Sequence, residues 1–145
     1  MKFLEYSVNQ NSYQQALHLR QELLRAPLGL DINSEDLSIE KEQLHFGLFD
    51  DKTLLATLTV IPLENNKAKI RQMAVSNTHQ KLGLGSKLIL NCLHELKERG
   101  FKEVELNARK TALKFYEKNG FKVVGEEFIE VSIPHLKMKK LLLDD

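Results

Sequence analysis

Three apolar runs joined by very short turns limit the fold more than any other feature of this sequence. QLHFGLFD (43–50) and LLATLTVIPL (54–63) are linked by a tight hairpin at Asp50, Asp51 and Lys52, and AKIRQMAVS (68–76) follows a turn at Asn65 and Asn66. Strands so closely connected have to be antiparallel. Downstream, Leu84, Leu88, Ile89, Cys92, Leu93 and Leu96 form one apolar stripe along a helix over 83–99, ended by Gly100, and the strand FKEVELN comes next. A strand–helix–strand crossover needs a parallel pair. Both requirements are met by an α/β (α+β) mixed sheet: mostly antiparallel N-terminal strands, then a parallel βαβ crossover, with helices on both faces.

The rest of the chain fits this frame. KFLEYSV reads as a first strand, and Ser12 as the cap of a helix whose face carries Tyr13, Ala16, Leu17, Arg20, Leu23 and Leu24, ended by Pro27 and Gly29. LDINSEDLSIE reads as an acidic loop with a short helical turn near Ser34. A helix over 111–119, closed by Gly120, precedes final strands at 121–131 and 136–142. GFKEVEL and GFKVVGE look alike because each is a helix-to-strand junction. At 145 residues the chain is expected to be one domain, 1–145.

Composition narrows the function. Twenty-one basic against twenty acidic residues argue against a nucleic-acid-binding module or a polybasic membrane module. One cysteine excludes an intramolecular disulfide, and five scattered histidines give no metal-ligand spacing, so no metal is expected. No apolar run is long enough to cross a membrane as a helix. The expected location is cytoplasmic. Charge is unevenly spread: residues 1–65 are net −5 and residues 66–145 net +6.

The segment IRQMAVSNTHQKLGLGSKL, 70–88, is where chemistry concentrates. Ile70 and Met73 are three apart and cannot share a face of a regular strand, so a β-bulge is expected, a feature common beside active sites. The strand runs through a Gly-x-Gly loop into a helix, which is an anion cradle: glycines admit close backbone approach, and the helix N-terminus adds a positive dipole. A Walker A loop is excluded because Gly85 is followed by Ser86-Lys87, the wrong order, and a dinucleotide turn lacks its third glycine, where Leu88 stands.

Gln80-Lys81-Leu82-Gly83-Leu84-Gly85 resembles the Gln/Arg-x-x-Gly-x-Gly/Ala loop of the GNAT superfamily of acetyl-CoA-dependent N-acetyltransferases. Ala112 to Phe121, ALKFYEKNGF, resembles that family's A-x-x-F-Y-x-x-x-G-F helix and cap. The blocks stand in the right order, and the likeness extends over essentially the whole chain. Asn107-Ala108-Arg109 and the stretch from Phe128 to Met138 resemble an ElaA-like branch, with Asn107 and Ser132 where that branch tends to have His and Gly.

The resemblance implies acetyl-CoA as cosubstrate. The backbone of Met73, Ala74 and Val75 would hold pantetheine. Gln80, Lys81, Leu82, Gly83, Leu84, Gly85 and Ser86 would hold the pyrophosphate, with Asn107, Arg109, Phe115, Tyr116 and Lys118 completing the cofactor side. Tyr116 would protonate the departing thiolate, and Glu130 or His135 would take the amine proton. Glu105 is a third candidate base. The expected reaction is direct attack of a primary amine on the thioester in a ternary complex. The acceptor is a small-molecule amine or a protein amino group; nucleic acid and membranes are not expected partners, and a homodimer stays open. The competing reading is a non-catalytic CoA-binding regulator on the same fold. The charge split further suggests a cationic acceptor drawn by an acidic rim of Asp31, Glu35, Asp36, Glu40 and Glu42.

Overall fold

A computed structural model describes residues 1–143, with the backbone alone at 79–81. Strand β1 (Lys2–Tyr6) leads into helix α1 (Asn11–Arg20), and three strands follow: β2 (Leu44–Asp50), β3 (Thr53–Leu63) and β4 (Lys67–Val75). Helix α2 (Leu84–Glu98) crosses to β5 (Glu103–Arg109); helix α3 (Leu113–Lys118) precedes β6 (Lys122–Val123), β7 (Phe128–Glu130) and β8 (Ile133–Leu141). The strand order is β1-β2-β3-β4-β5-β8-β6, with β7 beside β8, and β4–β5 is the parallel pair. The mixed sheet and its crossover are those read from the sequence.

Alternation along the strands assigns two faces. Phe46, Leu48, Leu58, Val60, Ala68 and Ile70 pack with the α2 stripe Leu84, Leu88, Ile89, Cys92, Leu93 and Leu96. Tyr6, Phe49, Leu54 and Ala74 pack on the other side with Tyr13, Ala16 and Leu19 of α1. The helix-to-strand junctions are built alike. Gly100 and Gly120 have φ of 93° and 94°, and the Phe101 and Phe121 N–H groups donate back to Leu96 and Tyr116 carbonyls. This is the Schellman arrangement, in which glycine adopts the left-handed turn and the next apolar residue folds back on the helix. Phe121 accordingly sets its ring edge-on to Tyr116 at 5.9 Å.

Several local expectations are corrected. The cap of α1 is Gln10, whose side-chain carbonyl accepts from the Ser7 N–H, rather than Ser12. Helix α1 continues through a π-helical turn (Gln21–Arg25) and a 3-10 turn (Ala26–Leu28), and two more 3-10 turns (Ile32–Ser34, Ser38–Glu42) shape the acidic segment. The expected strand over 121–131 is two short strands, and Pro134-His135 lies inside β8 rather than in a turn.

Val131 and Ser132 form a two-residue hairpin between β7 and β8, with φ of 45° and 64°. Such a turn favours Asn-Gly, because a side chain at positive φ crowds the backbone, most of all a β-branched one. The double substitution Val131→Asn, Ser132→Gly is expected to raise stability by about 1–2 kcal/mol. Denaturant unfolding checks this; an unchanged midpoint would contradict it.

Candidate active site

The β-bulge lies where the slipped alternation places it. Thr59 of β3 faces Arg71 and Thr57 faces Ala74, so Leu58 opposes two residues of β4, and Gln72 adopts φ 58°. The extra residue returns Met73 and Val75 to the face of Ile70, where all three pack against the α2-side core. β4 and β5 are in register only at Lys67–Lys69, opposite Glu103–Glu105. From Ile70 to Ala74, β4 has β3 along one edge and, among the described residues, no strand in register along the other. β5 meanwhile stays with β8 out to Arg109, paired with His135. The two strands therefore diverge at the bulge.

A cleft of about 640 Å³ opens at this divergence. Its lining includes Met73, Asn107, Arg109, Tyr116, Glu130, Val131 and His135, together with residues of the 24–43 segment. Tyr116 is fixed by the α3 junction and stands edge-on to Phe115 at 5.0 Å, and its hydroxyl donates to Met73 Sδ at 3.7 Å. Burial pushes this phenol up to about 12, partly offset by the nearby Arg109 charge. His135 is 4% exposed and stacks on Phe128. Its Nδ1 lies 2.7 Å from the Ile133 carbonyl oxygen, to which it donates, and its Nε2 lies 3.5 Å from Glu130 Oε2. Asn107 Nδ2 donates to Glu130 Oε1 at 3.5 Å. Glu105 instead pairs with Lys137 at 3.2 Å.

At the other end of the divergence stands the N-terminus of α2. Gly83 has φ 71°, and among the described residues nothing lies within 4 Å of the position its Cβ would take and no side chain caps the helix. A helix N-terminus approached through a glycine fits a pyrophosphate. Gly85 has a different reason: a Cβ there would come within 3.2 Å of the Phe115 ring and 3.5 Å of Met73 Cε. Ser86 Oγ and the Phe115 carbonyl both accept from Asn119 Nδ2, at 3.3 and 2.8 Å, tying α2 to α3. Leu82 and Lys118 are exposed, whereas Ala74 is buried on the α1 side. The side chains of Gln80 and Lys81 lie outside the described residues.

The acidic segment does not form a free rim. Glu40 is 6% exposed, takes both terminal nitrogens of Arg20 at 2.8 and 2.6 Å, and accepts from the Tyr13 hydroxyl at 2.8 Å. Burial alone would raise its carboxyl, but the Arg20 hydrogen bonds and charge outweigh that and hold it below the usual range. Glu35 is taken by Arg25 at 2.6 Å. Asp31 and Asp36 accept from the backbone N–H groups of Asn33 and Ser38, and Glu42 does not line the cleft. Arg25, which the sequence does not single out, also donates from Nη2 to Gln72 Oε1 at 3.0 Å, linking the segment to the bulge. No group of three or more His, Cys, Asp or Glu side chains with metal-binding geometry occurs among the described residues. Cys92 is buried in the core, where its thiol is pushed up to about 12 and is inert.

Comparison with known proteins agrees with this architecture. The family model for an acetyltransferase (GNAT) domain matches residues 9–142. The uncharacterised N-acetyltransferase YjcF of Bacillus subtilis is 26% identical over 134 residues, covering 91% of this chain and 94% of its own. Among solved structures, an aminoglycoside 6'-N-acetyltransferase complexed with coenzyme A aligns with TM-score 0.84 at 18% identity, covering 100% of this chain and 99% of the other. Escherichia coli ElaA aligns with TM-score 0.82 at 20% identity, over 97% and 99% of the two chains, which shows a shared fold. With its cleft at diverging strands and a family match over nearly its full length, the chain belongs to the GNAT superfamily of N-acetyltransferases.

Proposed function

We propose that this protein acetylates a primary amine directly, with acetyl-CoA and amine bound together. The observation that carries this is the meeting of Met73, Tyr116, Asn107, Glu130 and His135 in one cleft, where β4 leaves β5. Acetyl-CoA, when bound, supplies the activated acetyl group and a thiol leaving group. Backbone groups of Met73, Ala74 and Val75 hold its pantetheine arm, and the N–H groups at the start of α2, with Gln80 and Lys81, hold its pyrophosphate. Lys118 meets the remaining phosphate charge, and Phe115 supports the first turn of α2 from below. The Met73 N–H serves as the oxyanion donor, a role commonly worth about 3–4 kcal/mol of barrier.

Tyr116 keeps its proton throughout the neutral range, because burial places its hydroxyl at about 12. Transfer of that proton to a thiolate of ordinary pKa, about 8.5, runs uphill. The hydroxyl therefore acts chiefly as a hydrogen-bond donor that steadies the leaving sulfur. Glu130 takes the amine proton: its side chain is 40% exposed, against 5% for His135 behind it, so the carboxylate is the reachable partner. His135 and Asn107 orient that carboxylate from either side.

An acyl-transfer screen tests the proposal, with polyamines, amino acids, aminoglycosides and peptide N-termini as acceptors and thiol release and product mass as readouts. Turnover is expected to rise with pH as the amine loses its proton, with no alkaline fall set by Tyr116 below about pH 11. Failure of every amine to release thiol from bound acetyl-CoA would overturn it.

A further inference from the structure

Cations outnumber carboxylates on the open face of β4, β5 and β8. Glu103 lies between Lys67 at 3.4 Å and Lys139 at 3.7 Å, and Glu105 is paired with Lys137. Lys69 lies opposite Glu105 in the strand register, but that carboxylate makes its ion pair with Lys137. Lys69, Arg71 and Arg109 all line the cleft and, among the described residues, have no carboxylate partner. Lys69 and Arg71 share a strand face, two residues and about 7 Å apart. Across the cleft, Arg25 neutralises Glu35 and Arg20 neutralises Glu40, which leaves Asp36 and Glu130 as the carboxylates without a basic Lys or Arg partner. Glu130 faces His135 and Asn107, and Asp36 accepts from Ser38 at the exposed margin.

We propose that the acceptor is an amine that also carries an anionic group, a carboxylate or a phosphate, held by Arg71 with Lys69. This inference rests on the amine-acetylation reading and replaces the cationic acceptor that charge distribution along the chain suggests. An unpaired guanidinium at the wall of a cleft offers a planar pair of donors, which suits either anion. A polycationic acceptor would bring its charges against Arg71, Lys69 and Arg109 with only Asp36 and Glu130 to receive them.

The test measures binding of size-matched amines to the CoA-loaded protein by calorimetry, and then their acetylation. The probes are an alkyl monoamine, an alkyl diamine, an ω-amino carboxylate and an amino-alkyl phosphate. The carboxylate and phosphate arms separate the two anions. Wild type is expected to favour one or both anionic amines over the monoamine by about 10- to 100-fold, as for hydrogen bonds to charged groups. Added salt should erode that preference. Arg71→Gln should collapse it, and Lys69→Gln should reduce it. Lys52→Gln, outside this cleft, should leave it intact. Equal or better binding of the monoamine or diamine, or an Arg71→Gln variant with the same preference, overturns the proposal. Charge-blind acetylation of every amine would refute the anion site and leave acetyl transfer standing; selective binding of anionic amines without transfer would do the reverse.

Discussion

Replacing Tyr116 by Phe is expected to lower turnover by roughly 10²–10³-fold, the loss that commonly follows removal of one positioned donor to developing charge, and to leave acetyl-CoA binding within about twofold of wild type. The substitution keeps the ring contacts with Phe115 and Phe121 and the α3 junction, so the fold should persist. What it removes is the hydroxyl that faces Met73 Sδ across the strand divergence. Loss in turnover alone identifies an interaction made only as the carbon–sulfur bond breaks. Steady-state kinetics with a saturating amine, beside calorimetry for acetyl-CoA, separates the two quantities. Turnover within about twofold of wild type would make Tyr116 a packing residue.

The second large effect concerns stability. Glu40→Gln should destabilise the fold by about 3–5 kcal/mol, because it leaves Arg20 buried without its counter-charge. Arg20 is 1% exposed, and among the described residues its Nε has no hydrogen-bond partner. For a chain of this size the melting temperature should fall by on the order of 10 °C. The pairing also carries a pH signature. Glu40 is held below its unfolded value near 4.5, so its contribution is complete above that pH and is lost as pH falls through the native value. Wild type should lose stability below about pH 4.5 more steeply than Glu40→Gln. A pair of apolar replacements, Arg20→Met with Glu40→Leu, should recover much of the loss. Denaturant titrations of the three proteins at two pH values decide this; a near-neutral Glu40→Gln would contradict it.

The features legible in the sequence are those with short-range causes. The three-residue spacing of Ile70 and Met73 violates strand alternation and so announces the bulge. Each Gly-Phe pair announces a helix end, because a left-handed glycine followed by an apolar residue is local chemistry. The Arg20–Glu40 pair has no such signature. Twenty residues separate the partners, and an acidic stretch rich in Ser and Asp looks solvated until packing of α1 brings Arg20 onto it. Arg25 and Gln72 are 47 residues apart and meet only once the π-helical turn and the bulge have formed. The strands expected at 121–131 and 136–142 leave Pro134 and His135 between them. Here the β5–β8 pairing begins at His135, so Pro134 lies beyond that ladder and pairs only with the short β7.

In the proposed complex, acetyl-CoA lies along the divergence of β4 and β5 with its pyrophosphate on the first turn of α2. A melting measurement with and without acetyl-CoA, on wild type and on Ser86→Glu, tests it most directly. A carboxylate in the first turn favours the helix dipole, so the unliganded variant should be at least as stable apart from the weak Asn119 contact. The same charge repels a pyrophosphate. At a hundred times its dissociation constant, acetyl-CoA should stabilise wild type by about 2.7 kcal/mol, a rise of roughly 5–10 °C, and should leave Ser86→Glu unmoved. No shift in wild type at saturating ligand, or an equal shift in the variant, would contradict the account.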